Sequence, residues 1–146
     1  MILTALPDIR ERLANARTIA ILGAHHERHR AAFYVPDYLR EVGYRVLPVN
    51  PHLAGRELFG ARVVPTLADL PEPVDLIDVF RRPSALPEHL REILALPWRP
   101  RTVWLQLGVV NAAFTRTLVD AGYDVVEDRC TLADHRLFGL PVRPVP

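Results

Sequence analysis

Thr18-Ile19-Ala20-Ile21-Leu22-Gly23-Ala24-His25 is a short apolar run that ends at a glycine and opens into a loop carrying Arg28 and Arg30. A run this short and this uniformly apolar reads as a strand buried on both faces. In a doubly wound sheet such a strand leads into a helix whose free N-terminal amides attract anions, and glycine at the exit lets a phosphate approach the backbone closely. The same turn opens a crossover in any parallel sheet, so the phosphate reading depends on what surrounds it. A dinucleotide fingerprint needs Gly-x-Gly-x-x-Gly here and an acidic residue about 20 positions on. Gly23 stands alone, and the second apolar run ends Val49-Asn50-Pro51, which disfavours NAD.

The strand-then-helix order repeats along the chain. Ile9, Leu13 and Ala16 space a leading helix over 7–16. Val35, Tyr38, Leu39 and Val42 mark one face of a second helix, with Pro36 expected in its first turn and Gly43 at its end. Strands follow at 44–49, 74–80, 102–107 and 123–126. Between them lie a helix that Ser84 is expected to cap, with Leu86, Leu90, Ile93 and Leu94 on one face, and another capped by Asn111. The stretch 50–70, punctuated by Pro51, Gly55, Gly60 and Pro65, reads as irregular, with one helical turn after Thr66. The expected fold is α/β: a single Rossmann-like, doubly wound domain over 1–146, with a mainly parallel sheet of about five strands and helices on both faces. Its core spans about 15–138, and 139–146 reads as a loose tail.

At 146 residues the chain can bury close to 70% of its unfolded surface, so neither disulfide nor metal staple is required. Its 18 basic and 17 acidic residues leave a charge of +1, and no global field draws it to nucleic acid or membrane. Every basic residue is arginine. Without lysine, Schiff-base chemistry and a P-loop lysine are excluded, and the lone serine, Ser84, lacks the Gly-x-Ser-x-Gly setting of a hydrolase nucleophile. One cysteine, Cys130, precludes an internal disulfide; with no signal-peptide order and no apolar run near the roughly 20 residues a bilayer requires, a cytoplasmic location is expected.

Ligands of such sheets bind beyond the carboxyl ends of the strands, where the strand order switches. Four segments converge there: the Gly23 loop, Val49-Asn50-Pro51, Phe80-Arg81-Arg82 and Gln106-Leu107-Gly108. His25, His26 and His29 invite a metal reading, but Arg28 and Arg30 would repel a divalent cation, and solvated loop histidines fit better. Asp75 and Asp78 point to opposite faces of one strand, which favours structural hydrogen bonding over paired acid-base work. Trp104 and Phe80 fit core positions, although either could touch a ligand. Gln106 is placed either to read a ligand amide or to brace its loop. Cys130 reads as a buried structural cysteine rather than a nucleophile.

Taken together, Pro48-Val49-Asn50-Pro51, Val74-Asp75-Leu76-Ile77-Asp78-Val79-Phe80-Arg81, Val103-Trp104-Leu105-Gln106-Leu107-Gly108-Val109 and Val125-Val126-Glu127-Asp128-Arg129-Cys130 resemble the small CoA-binding protein family. That family's fold is similar to the CoA-binding domain of the succinyl-CoA synthetase alpha chain, and the resemblance covers about residues 15–138. It implies CoA or an acyl-CoA laid along the carboxyl edge of the sheet. The pyrophosphate would lie at Gly23 to Arg30, including Ala24, His25 and Arg28, the adenosine near Val49, Asn50 and Pro51, and pantetheine toward Phe80, Arg81, Gln106 and Gly108. Many members carry Gly-Ala-Ser and a later Pro-Ser-Tyr where this chain has Gly23-Ala24-His25 and Ala31-Ala32-Phe33, so two hydroxyl donors are absent. His25 can donate in place of one; Ala32 cannot replace the other.

Arg30, nearest the expected helix start, is best placed to meet the pyrophosphate, with Arg56, Arg81 and Arg82 as further guanidiniums along the edge. The leading expectation is a CoA carrier or sensor without chemistry of its own. The rival is an enzyme, either an NAD(P)-dependent reductase or the partner subunit of an acyl-CoA-handling enzyme. A homo-oligomer or an unknown protein partner stays open.

Overall fold

A computed structural model describes all residues 1–146. Five parallel strands form the main sheet: β1 (Thr18–Leu22), β2 (Arg45–Val49), β5 (Leu76–Val79), β6 (Thr102–Leu105) and β7 (Asp124–Val126), in the order β2-β1-β5-β6-β7. The register pairs Ile21 with Pro48 on one side and with Asp78 on the other. Pro48 is tolerated because β2 lies at the edge, where its missing N–H leaves no central ladder bond unmade. From β1 the chain steps outward to β2, then crosses back to β5 on the far side of β1. The strand order therefore reverses between β1 and β5, which puts the ligand-binding crevice of this architecture at Gly23 and Phe80.

Alternation along the strands divides the interior into two cores. Ile19, Ile21, Val46, Leu76, Trp104 and Val126 face helices α1 (Leu6–Asn15), α2 (Ala31–Glu41) and α5 (Thr131–Leu137). Ala20, Leu22, Ile77, Val79, Val103 and Leu105 face α3 (Leu86–Leu94) and α4 (Ala112–Asp120). Trp104 is fully buried, with its indole N–H satisfied by the Arg129 carbonyl at 2.8 Å, which settles it as core. Asp75 accepts the Arg17 and Thr18 N–H groups at 2.8 and 3.1 Å, closing the base of the β1–β5 pair. No helix is long and apolar enough to cross a membrane.

Several local expectations are corrected. Helix α2 begins at Ala31, so Pro36 is its sixth residue and not part of its first turn. Proline there leaves the Ala32 carbonyl without its helical donor, and the His25 N–H fills the gap at 3.2 Å. Ser84 caps nothing: it sits in a 3-10 turn, Pro83–Ala85, and α3 starts after Ala85 without a side-chain cap. Asn111 does cap α4, accepting the Phe114 N–H at 3.0 Å.

The 50–70 stretch contains a small antiparallel ribbon, β3 (Glu57–Leu58) with β4 (Ala61–Arg62), turned by Phe59 and Gly60 at φ 56° and 75°. The helical turn after Thr66 is present at Leu67–Asp69. Helix α5 had no counterpart in the sequence reading. Within the expected tail, Leu140 is buried and the Arg143 N–H donates to the Val42 carbonyl at 2.9 Å, while Val142 and Val145 are exposed.

Candidate functional site

At the carboxyl ends of the strands lies a cleft of about 820 Å³, within the range of about 300–1,000 Å³ usual for small-molecule sites. Its walls gather nine of the residues singled out from sequence: Gly23, His25, Arg30, Asn50, Phe80, Arg81, Arg82, Gln106 and Gly108. Ala24 and Val49 are buried and reach no ligand by side chain, while Arg28, Pro51 and Arg56 lie outside the cleft. Leu107, from the Gln106-Leu107-Gly108 segment, lines it too, and the structure adds Ala31, Ala32, Tyr34, Val35, Pro83, Val109 and Cys130. Of these, Cys130 was legible from its place after β7, had the rule of strand exits been extended to the fifth strand.

The loop after β1 is clasped by its neighbours. Gly23 and Ala24 donate their N–H groups to the Val49 carbonyl at 3.0 and 3.2 Å, and Asn50 returns its amide to the Ala24 carbonyl at 2.8 Å. Gly23 has φ +91°, and a Cβ there would stand 2.6 Å from the Phe80 carbonyl and 2.8 Å from Arg81 Cδ. Only glycine fits between the ends of β1 and β5.

Beyond the loop, the N-terminus of α2 opens on the cleft. The N–H groups of Ala31 and Ala32 donate to no protein atom, whereas those of Phe33 and Tyr34 fold back onto the Arg30 carbonyl. Those two free amides carry the positive end of the helix dipole and make an anion-attracting surface from main chain alone. His25 Nδ1 accepts the Glu27 N–H at 3.0 Å, which leaves Nε2 as the ring donor. Burial, then the Arg30 charge, lowers the His25 pKa, so the ring is neutral near pH 7.

The guanidiniums differ. Arg30 Nε is bonded to Glu27 at 2.9 Å, and that hydrogen bond holds the Glu27 carboxyl below its ordinary pKa. Half of the positive charge expected from this loop is therefore answered locally. Arg81 and Arg82 have no carboxylate partner and retain their full charge.

Under the cleft floor sits a buried polar trio. Gln106, 5% exposed, donates its amide to both oxygens of Asp78 at 2.8 and 3.1 Å and to Thr131 Oγ at 2.9 Å. Thr131 in turn donates to Asp78 at 2.9 Å. Burial drives the Asp78 pKa up to about 7, against the opposing pull of these hydrogen bonds. The trio fixes Gln106 with its NH₂ inward, so that Oε1, free of any protein donor, is the atom it offers to the cleft. Loop bracing and ligand contact are thus not alternatives for Gln106, since one end of the amide can serve each.

Cys130 is half-buried on the cleft wall, not sealed in the core as its sequence setting suggested. Its sequence neighbour Arg129 is committed to Asp134 by two hydrogen bonds of 2.6 and 2.7 Å. Asp128, at φ 55°, accepts the Gly108 N–H at 2.6 Å and so sets the turn after β6.

The chain is similar to several known proteins. YneT of Bacillus subtilis (strain 168) is 30% identical over 128 residues, covering 88% of this chain and 92% of that protein. A solved structure from Thermus thermophilus is 54% identical with a TM-score of 0.88, covering 92% of this chain and 98% of its own. A hypothetical protein from Pyrococcus horikoshii OT3 is 30% identical with a TM-score of 0.84, covering 92% of each chain. Residues 17–136 match the CoA binding domain family, a span that takes in all seven strands and every wall of the cleft. The chain belongs to the CoA binding domain family.

Proposed function

We propose that the protein binds CoA or an acyl-CoA along the carboxyl edge of its sheet and acts as a carrier or sensor with no chemistry of its own. The observation that carries the reading is the meeting, in one cleft at the β1/β5 switch point, of an open helix N-terminus, unpaired guanidiniums and an apolar far wall. Each part suits a different part of CoA. The free amides of Ala31 and Ala32, with Arg30, Arg81 and Arg82, suit phosphate oxygens. Phe80, Leu107 and Val109 suit the methylenes of pantetheine, and the outward Oε1 of Gln106 suits one of its amide N–H groups. At Gly108 an added Cβ would meet nothing within 4 Å, so this turn gives a ligand open access to main chain.

The carrier or sensor role draws on the side chains present. No lysine is available, Ser84 lies outside the cleft, and of the two buried carboxyls Asp78 is covered by Gln106 and Asp134 is paired with Arg129. Calorimetric titration with CoA, acetyl-CoA and longer acyl-CoA tests the reading. Saturable binding with the stoichiometry of one site is expected. An absence of heat and of thermal shift at millimolar ligand would refute it, and tight NAD(P) binding that excludes CoA would point to the reductase instead.

A further inference from the structure

Arg81, which follows β5, is oriented by a relay that starts in a different loop. Glu92 Oε1 accepts the Leu67 N–H at 2.7 Å, anchoring the carboxylate to the 3-10 turn Leu67–Asp69. Its Oε2 lies 2.9 Å from His89 Nδ1, and Arg81 Nε donates to His89 Nε2 at 3.2 Å. A guanidinium has no acceptor to offer, so Nε2 is the bare nitrogen and the ring proton sits on Nδ1 against the carboxylate. The neutral imidazole joins an anion and a cation in one fixed geometry. Burial works against the charge on Glu92, yet the hydrogen bonds from His89 and Leu67 outweigh it and hold its pKa below the ordinary value.

The relay uses only the Nε of Arg81. Both terminal nitrogens are without a protein partner, the side chain lines the cleft, and its stem lies across Gly23. Two forward N–H vectors from a guanidinium anchored at its base match a pair of phosphate oxygens. Arg30 differs because its Nε is bonded to a carboxylate, and Arg82 because no hydrogen bond orients it.

We infer that Arg81, held by Glu92 through His89, is the principal grip on the phosphate oxyanions of the bound ligand, with His89 as a positioning residue. This rests on the cleft being a CoA site and deepens that reading by moving the main charge contact from the β1 loop to the end of β5.

The test is calorimetry with CoA, with pantetheine, which lacks the phosphates, and with inorganic pyrophosphate. Arg81→Met, at an exposed position, is expected to weaken CoA roughly ten- to hundredfold and leave pantetheine unchanged. His89→Leu is expected to weaken CoA roughly two- to tenfold, again sparing pantetheine, and His89→Gln, which keeps an acceptor near the position of Nε2, to recover most of that loss. Arg81→Met binding CoA like the wild type would overturn the inference and leave the CoA reading standing. So would His89→Leu weakening CoA and pantetheine alike, or His89→Gln behaving as His89→Leu does. If the wild type takes pyrophosphate but not CoA, and Arg81→Met loses the pyrophosphate, the CoA reading fails and the anion grip survives; equal pyrophosphate affinity, or none in either protein, refutes the grip as well.

Discussion

Replacing Asp78 with asparagine should change how the stability of this protein depends on pH. Asp78 is 0% exposed, and burial raises its pKa from 3.8 to about 7 although Gln106 and Thr131 both donate to it. In the unfolded chain the carboxyl ionises near 3.8; in the folded protein it holds its proton until about pH 7. Its contribution to stability is therefore full below pH 4 and is lost progressively as pH rises to about 7. A difference of roughly three pH units, at about 1.36 kcal/mol each, makes that loss about 4 kcal/mol, a large part of the 5–15 kcal/mol that holds a typical domain folded. Asparagine cannot ionise, so the loss disappears. Urea unfolding followed by tryptophan fluorescence at several pH values between 4 and 8 gives both stabilities, and their difference removes every other titrating group. Asp78→Asn should gain on the wild type by roughly 3–4 kcal/mol across that range, whatever its offset at pH 4. A difference that stays constant to within about 0.5 kcal/mol from pH 4 to 8 would show that Asp78 does not titrate there, and the account of the buried trio would fail.

Gly23→Ala should lower Tm by roughly 2–8 °C and abolish CoA binding, because a left-handed alanine costs about 1–2 kcal/mol before its Cβ meets the Phe80 carbonyl; calorimetric melting checks the first and titration the second. Asn111→Ala removes the only side-chain cap found on a helix here and should cost about 1 kcal/mol in urea unfolding at neutral pH. Arg30→Ala should weaken CoA by roughly two- to tenfold, less than Arg81→Met, while Glu27→Gln should tighten it by freeing the Arg30 guanidinium; weaker binding by Glu27→Gln in titration would contradict the neutralising role of Glu27.

The sheet was legible because each strand is a short apolar run bounded by glycine, proline or a cap, a pattern in which burial on both faces leaves little choice of structure. The four strand exits converged as the parallel topology requires. What escaped the sequence depends on pairings between distant residues. The Glu27 carboxylate that answers Arg30 is three residues away and was visible, yet nothing in the spacing fixes which rotamer a surface arginine adopts. The relay from Glu92 through His89 to Arg81 joins a 3-10 turn, a helix face and a strand end, and no periodicity announces it. Helix α5 is only seven residues long and begins after a left-handed Asp128, too short a run for an apolar stripe to declare itself. Pro36 misled the placement of α2 because proline favours the first turn of a helix, and the compensation that lets it sit deeper lies in another segment.

That compensation bears on the two hydroxyls this chain lacks. A proline inside a helix removes a hydrogen bond and normally weakens the turn before it. Here the orphaned Ala32 carbonyl takes the His25 N–H, so the first turn of α2 and the loop after β1 are fastened to one another at the point where Ala31 and Ala32 present their free amides. The same loop is fastened on its other side by the Val49 carbonyl and the Asn50 amide. Its path is therefore fixed by main chain, by one asparagine and by the His25 ring, whose Nδ1 holds the Glu27 N–H at 3.0 Å; none of these fastenings uses the side chain at position 32. Alanine at position 32, where the resemblance implies serine, removes one donor and leaves these fastenings intact, while histidine at position 25 supplies a ring acceptor to the loop. On the proposed reading, the hydrogen bonds to phosphate that such hydroxyls would donate fall to guanidiniums anchored elsewhere, and Arg81 is the one whose anchor leaves both terminal nitrogens free.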